Sequence, residues 1–368
     1  MKILAVGDVF LGDQLACFGF GVRSRFGRSG YSECFECCRR IFDGHDVVFA
    51  NLESVLGTPG VESPGVRHLL NRGLNEGAAA LRAAGVDVVN LANNHIFEHH
   101  VEGLEQTMQN LDEAGIAHVG TAASPMHVRS IGHNTVAFLG WSMVPDNFWP
   151  ETDPSDYYHV TEDITQILEE VASVKSEVDR VVLALHWGHE YVDLPSSHQQ
   201  AVARELIDAG VDVLVGHHPH TVQPIEEWGG GLIAYSLGNF VFDVWAGGDR
   251  HGLALSFEAG ALDWSIVPVE IDPTTFGPAA YVEPSTGHQL ESHVADARRL
   301  SADEASEAAW RSRKRYRGRL VRHGVRNAHR FDLKRQLVGL ALRRVLFLVR
   351  NIRRERTDPT VVYRGPMK

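Results

Sequence analysis

Six groups of polar residues recur along the chain with types and spacings that could do metal-assisted chemistry. They are Asp8; Asn51 with Glu53; Asn93, Asn94 and His95; His186; His217, His218 and His220; and Asn239. Carboxylates can bridge two cations, imidazole suits Zn, Fe, Ni or Mn, and a carboxamide oxygen completes such a ligand set. Two ions about 3.5–4 Å apart lower the pKa of a shared water and clamp an in-line displacement. A histidine left free of metal can protonate the leaving group. His218-Pro219-His220 is the least ordinary piece, because proline stiffens a turn and histidines at i and i+2 in extended backbone point the same way. A second registration of that run uses Gly216-His217; the chelating geometry favours His218 and His220. Taken singly, a strand-terminal Asp or an Asn-His turn has an ordinary explanation in caps and turn hydrogen bonds. The ordered recurrence is what points to chemistry.

The elements that must position these residues are legible as short apolar, β-branched runs. Candidate strands are Ile3–Val6, Val47–Ala50, Val86–Leu91, Thr135–Gly140, Val181–Leu185 and Val211–Val215. Amphipathic stretches lie between them: Leu74–Ala84, Gly103–Ala114, Glu162–Val178 and Ser197–Ala209. Apolar strands alternating with helices predict an α/β fold with covered sheets. In such folds ligands bind outside the carboxyl ends of the strands, and most of the polar groups directly follow a strand. After Val215 the runs Leu232–Leu237, Leu253–Phe257 and Trp264–Ile271 follow one another without helices, which predicts antiparallel additions to the sheet. The sequence shows no internal repeat and no low-complexity segment.

The chain has 368 residues and a net charge of −12. That charge divides sharply: residues 1–297 hold 14 Lys+Arg and 41 Asp+Glu, residues 298–368 hold 21 and 6. An acidic body carries a basic tail. The Pro-, Thr- and Gly-rich start of 273–300 reads as a linker. Ser301-Ala302-Asp303-Glu304 has capping-box spacing and predicts a basic helix to about Val321. Val338, Leu342, Val345, Val349 and Ile352 recur as one face of a second basic helix from about Leu333 to Arg354. The nearly apolar run Leu337–Val349 is 13 residues, short of the roughly 20 a spanning helix needs. The N-terminus reads as lacking a signal peptide, so the cytoplasm, with peripheral membrane contact through the tail, is the expected location. Of the four cysteines, Cys34 and Cys37 have zinc-like spacing, but no second pair accompanies them; free thiols on a helix, Cys17 apart, are the expectation. The absence of a Gly-x-x-x-x-Gly-Lys-Ser/Thr loop, and of GxGxxG after the first strand, argues against a nucleotide-binding kinase or ligase.

The segments Gly7-Asp8-Val9-Phe10-Leu11-Gly12, Ala50-Asn51-Leu52-Glu53-Ser54, Leu91-Ala92-Asn93-Asn94-His95, Leu185-His186-Trp187-Gly188-His189-Glu190-Tyr191, Gly216-His217-His218-Pro219-His220 and Tyr235-Ser236-Leu237-Gly238-Asn239-Phe240 together resemble the CapA family of capsule and poly-γ-glutamate synthesis proteins, within the calcineurin-like metallophosphoesterases. The resemblance covers residues 1 to about 272 and leaves the basic tail outside. It implies a four-layer α/β/β/α sandwich with two divalent metals (Mn, Zn or Fe) at one edge. Asp8 would be a terminal or bridging ligand and Glu53 the bridging carboxylate. Asn94, His186 and His218 would hold one metal and His220 the other. His95 would be the general acid, with Asn94 beside it in the catalytic pair. Asn51 and Asn239 would contact substrate or support the ligands. Apart from the resemblance, His217 is a further candidate for that role, and His189 and Glu190, close after His186, either line the pocket or form a solvated loop. The wider superfamily has Asp-x-His at the first strand; here it is Asp8-Val9-Phe10, so one histidine ligand is missing, and Glu53 stands where Asp is usual.

The domains expected are therefore a CapA-like unit over 1–272, a linker over 273–300 and a basic helical extension over 301–368. The function expected is a metal-dependent hydrolase acting on a phosphoester or an anionic polymer such as poly-γ-glutamate. The alternative is a non-catalytic assembly factor of a polymer-synthesis complex. The basic helices would meet a membrane surface or a protein partner, and no nucleic-acid-binding motif accompanies their charge. His99 and His100 are read as surface residues that could start a helix, and Arg67 and Arg72 as surface arginines able to meet an anion.

Overall fold

The computed structural model describes residues 1–14, 17–58, 71–146, 152–244, 249–259, 263–296 and 299–326. In chain order the strands are β1 (Lys2–Val9), β2 (Val47–Leu52), β3 (Val55–Leu56), β4 (Arg72–Gly73), β5 (Val88–Asn90), β6 (Ala117–Val119), β7 (Met126–Ile131) and β8 (Asn134–Ser142). They continue with β9 (Arg180–His186), β10 (Val213–His217), β11 (Ile225–Trp228), β12 (Gly231–Ala234), β13 (Asn239–Val241), β14 (His251–Glu258) and β15 (Trp264–Glu270). One sheet runs β15-β14-β1-β2-β5-β6, with β13 also paired to β1; the other runs β11-β12-β10-β9-β8-β7. β3 and β4 form a separate two-stranded pair.

Side-chain alternation explains the layering, since successive strand residues face opposite sides. On β1, Ile3 and Ala5 join the core between the sheets, with Phe49, Val88, Phe138, Val182 and Val213. Leu4 and Val6 join a second core with Leu81, Leu104 and Leu111, from the helices Glu76–Ala84 and His100–Ala114. On the far side, Leu183 and Leu214 pack with Ile167, Val171, Val202 and Leu206 of the helices Thr165–Lys175 and Ser197–Asp208. Three apolar cores between four layers make an α/β/β/α sandwich. The Phe49 and Phe138 rings, 5.2 Å apart, join the sheets across the middle. Strands buried on both faces are apolar throughout, which is why the sequence shows them as continuous runs.

The central strands β1, β2, β5 and β6 are parallel, as are β8, β9, β10 and β12. β14 and β15 are the antiparallel additions the sequence predicts. β12 is not: it runs parallel to β10 and antiparallel only to β11. The chain makes this return through the hairpin strand β11 instead of a helix. The stretch 273–300 is also more than a linker. It holds the helix Pro284–Val294, whose Leu290 and Val294 bury into the core between the sheets. Proline fits the first helical position because its missing N–H has no helical partner there. The Ser301/Glu304 capping box forms as predicted, with Ser301 Oγ accepting from the Glu304 N–H and Glu304 Oε2 accepting from the Ser301 N–H. It opens the helix Ala302–Arg326. The second basic helix lies outside the described residues, as does Arg67. No described helix is long and apolar enough to cross a membrane.

Candidate metal centre

The polar residues converge where the parallel strands end. Asp8 sits near the end of β1, where the register to both β2 and β13 shifts. Gly7 is required there because a Cβ would collide with the Gly238 carbonyl. Gly216 before His217 is required in the same way, by the Tyr235 carbonyl. Thus the Gly-Asp and Gly-His pairs have one cause, the close passage of a neighbouring backbone.

Glu53 occupies the middle of the cluster. Its side chain is 0% exposed, and neither carboxylate oxygen has a hydrogen-bond partner among the described residues. Its Oε1 lies 3.6 Å from His220 Nε2, 3.7 Å from His186 Nε2 and 3.8 Å from His95 Nε2. Burial, and then the Asp8 charge, push its carboxyl well above the ordinary range. Asp8 is equally buried but fully engaged. Asn51 Nδ2 donates to its Oδ1 at 2.8 Å, His217 Nδ1 lies 3.0 Å from the same oxygen, and His220 Nδ1 lies 3.2 Å from Oδ2. Burial alone would raise the Asp8 carboxyl; the hydrogen bonds to His217 and His220 outweigh it and hold it well below the usual value.

The histidines divide by their partners. His220 Nδ1 also lies 3.0 Å from Asn239 Oδ1, which leaves Nε2 toward Glu53. His186 Nε2 lies 2.7 Å from Asn94 Oδ1. His218 Nδ1 is buried with no hydrogen-bond partner among the described residues. Burial and then the neighbouring His220 depress His218 to about 3, and burial and then His218 depress His186 well below its ordinary value. Both are neutral imidazoles at neutral pH, the form a ligand needs. Among the described residues, two groups have ligand atoms within 4.8 Å of one another: Asp8, Glu53 and His186; and Glu53, His218 and His220. Glu53 is common to both. The resemblance places His186 with His218 instead, and those two rings lie 4.8 Å apart.

The backbone of the histidine run differs from the expectation. His218 and His220 have φ of 93° and 54°, so the segment is a left-handed turn, not extended chain. L-residues seldom adopt that region, and such strain gathers at functional sites. The turn still brings both rings to the centre. His217 ends β10 and reaches back to Asp8.

His95 stands at the rim, with its side chain 20% exposed. Its Nδ1 lies 2.7 Å from Glu98 Oε1, and its backbone N–H donates to Asn93 Oδ1. Burial opposes the charged imidazole, but the Glu98 carboxylate beside it prevails and raises His95 above its ordinary value. Asn71 Nδ2 donates to both Glu98 oxygens, at 3.1 and 2.9 Å. Sequence reading missed Glu98 and Asn71; the i, i+3 spacing of His95 and Glu98 was the available signal. Behind the centre, Asn90 Nδ2 donates to Asn51 Oδ1 at 2.9 Å, and Asn93 Nδ2 donates to the Leu52 carbonyl at 2.9 Å. Glu190 acts electrostatically on Glu53 and His95, while the neighbouring His189 is exposed.

Two peripheral expectations change, for His99 and Arg72, and the expectation of free thiols holds. His99 does begin the helical turn before His100–Ala114, but it is 4% exposed, not a surface residue. Arg72 is 3% exposed, and its guanidinium donates to the Gly57 carbonyl. Cys17, Cys34 and Cys38 are buried and Cys37 partly so; all four thiols are free, and no described metal-type cluster includes them.

Fold and site together define a four-layer α/β protein with a buried carboxylate–imidazole centre at the ends of its parallel strands. The chain belongs to the bacterial capsule synthesis protein PGA_cap family, whose model matches residues 2–244. That range contains every residue of the centre. The chain is similar to the PGA biosynthesis protein CapA of Bacillus subtilis, 28% identical over 283 residues, covering 74% of this chain and 72% of the relative. It is similar to the capsule biosynthesis protein CapA of Bacillus anthracis, 36% identical over 177 residues, covering 46% and 43%. It is also similar to a probable polyglutamine synthesis accessory protein of Mycobacterium tuberculosis, 30% identical over 217 residues, covering 54% and 56%. Similar solved structures include a calcineurin-like phosphoesterase of Bacillus subtilis, with TM-score 0.44 and 13% identity over 88% of this chain and 98% of that one. Another is a phosphatase of Mycoplasma pneumoniae, with TM-score 0.44 and 15% identity over 75% and 95%.

Proposed function

We propose that the protein is a metal-dependent hydrolase that takes part in the biosynthesis or processing of a capsule or poly-γ-glutamate polymer. The observation that carries this reading is Glu53, a fully buried carboxylate with both oxygens unpartnered. A buried acid without partners is unfavourable unless a cation completes it. The donor spacings suit one. Two atoms each about 2.1 Å from one ion can stand up to about 4.2 Å apart, and Glu53 Oε1 is 3.6 and 3.7 Å from His220 and His186.

Glu53, common to both ligand groups, would help hold each ion. By the proximity of their ligand atoms, Asp8 and His186 would complete one side and His218 and His220 the other, with the Asn94 carboxamide beside His186. Bound there, the ions would supply Lewis acidity and a water of lowered pKa. The chain's own residues do the rest. Asn51 and His217 hold the Asp8 carboxylate in one orientation, and Asn239 fixes the His220 tautomer through Nδ1, a device that orients ligands. His95, whose charged form the Glu98 carboxylate favours, delivers a proton to the departing group from Nε2. The test is turnover of a generic phosphodiester and of poly-γ-glutamate after Mn or Zn addition. Release of either product, lost on chelation, supports the hydrolase and identifies the bond; metal uptake with no turnover of either overturns it.

A second reading, a non-catalytic assembly factor, is favoured by Phe10. Where the superfamily pattern has a histidine, this ring is buried 5.1 Å from the Phe242 ring, so one side of the centre has a ligand fewer.

A further inference from the structure

The charges acting on Glu53 and on His95 are carboxylates. Asp8, Glu190 and Glu98 act on Glu53, and Glu98, Asp146 and Glu190 act on His95. Outside the ions the centre would hold, a polyanionic substrate meets these carboxylates, and basic charge beside them would offset the repulsion. The helix Ala302–Arg326 holds such charge.

That helix is pinned beside the centre. Upstream of it, Ser197 N–H donates to the Leu300 carbonyl at 2.6 Å, and Arg299 pairs with Glu226 at 3.2 Å. Ala305, Ala309 and Ser312 bury one face, and Ser312 Oγ donates to the Tyr191 carbonyl at 2.7 Å. Tyr191 belongs to the rim of the centre: its N–H donates to the Pro219 carbonyl, and its ring lies 6.0 Å from the His220 ring. The charge changes sign along the helix at this contact. Before it stand Asp303, Glu304 and Glu307; from Arg311 to Arg326 there are eight Lys and Arg and no acid. Arg311, Arg315, Arg319 and Arg322 are exposed, at helical steps of four, four and three, so they form one stripe. The helix continues for 14 residues past Ser312, roughly 20 Å at 1.5 Å per residue.

We propose that this stripe is a docking rail for a linear polycarboxylate, which it delivers to the centre across Tyr191. The arginine fork pairs with carboxylates two bonds at a time, and a row of forks suits a flexible chain of them. Past the Tyr191 contact, the exposed side chains described on this helix, Lys314, Arg315, Arg319 and Arg322, are all basic, and that surface matches a polyanion in charge. The substrate named here rests on the proposed function; the rail itself does not require catalysis.

The test is fluorescence anisotropy of a labelled γ-linked glutamate oligomer on the full chain, on R311E/R315E/R322E and on R311Q/R315Q/R322Q. Helix content and phosphodiester turnover are followed in parallel. The full chain binds at low salt and weakens as salt rises. The reversed variant binds roughly tenfold or more weakly and the neutral one falls between, with phosphodiester turnover unchanged. Equal binding by all three, or none by the full chain, overturns the rail. So does a variant that loses only its sedimentation with phosphatidylserine vesicles, which would make the surface a membrane contact. Oligomer binding without turnover of any substrate leaves the rail standing and refutes the hydrolase instead.

Discussion

Replacing Glu53 with Gln separates what the centre costs from what it does. Without a cation, Glu53 is a buried acid beside a second buried acid, Asp8, and neither of its oxygens is hydrogen-bonded. An unsatisfied buried polar group costs about 1–3 kcal/mol, more when charged. The amide keeps the volume and cannot ionise against Asp8. Metal-free E53Q is therefore expected to be more stable than the metal-free parent by about 1–3 kcal/mol. The order reverses with metal. At a thousandfold excess of ion over Kd the parent gains about 4 kcal/mol from binding alone, and E53Q, lacking the carboxylate charge, gains a small part of that. Guanidinium unfolding of both proteins, in chelator and in saturating Mn, reads all four values. If E53Q is the less stable protein in chelator, or if Mn stabilises both equally, Glu53 is not an uncompensated ligand and the reasoning fails.

Other outcomes follow from single contacts. His95→Ala lowers kcat about 10²- to 10³-fold with metal content unchanged; Glu98→Gln lowers it less, because the hydrogen bond to Nδ1 survives the loss of charge. Equal metal loss in His95→Ala would make His95 a ligand instead. Glu170, with its side chain 10% exposed and hydrogen-bonded by the Trp141 indole, is raised by burial from 4.5 to about 7. A raised folded-state carboxyl binds a proton that the unfolded chain has released, so stability falls as pH rises from 4.5 to 7, by about 3 kcal/mol. Glu170→Gln removes that slope: the gain appears in unfolding at pH 8 and vanishes at pH 4. Burial pushes the Cys34 thiol up to about 12 and also raises Cys17 and Cys38. Only Cys37 is expected to react quickly with a disulfide reagent in the native protein; several fast thiols would show that this region opens.

The centre was legible because each parallel strand hands its polar residue to the same edge. An apolar run followed by Asp8, Asn51, His186 or His217 marks the run's end and the residue's location together. Glu98 was not legible in that way: it reaches His95 across a turn, not from a strand end. The left-handed backbone at His218 and His220 was hidden too, since residue type alone gives no sign of it. Short strands such as β6 and β13 are three residues each and carry too little pattern to stand out. β12 was read with the wrong direction because a parallel return normally needs a helix, and here β11 replaces it. The Pro- and Gly-rich composition of 273–300 masked the two residues, Leu290 and Val294, that tie its helix into the core.

Metal content per chain, by mass spectrometry of protein purified without chelator and then supplied with Mn or Zn, tests the central claim most directly. The account predicts close to two ions for the parent chain and a clear loss in E53Q. No uptake by the parent, even after addition, would contradict it and leave the assembly-factor reading in its place.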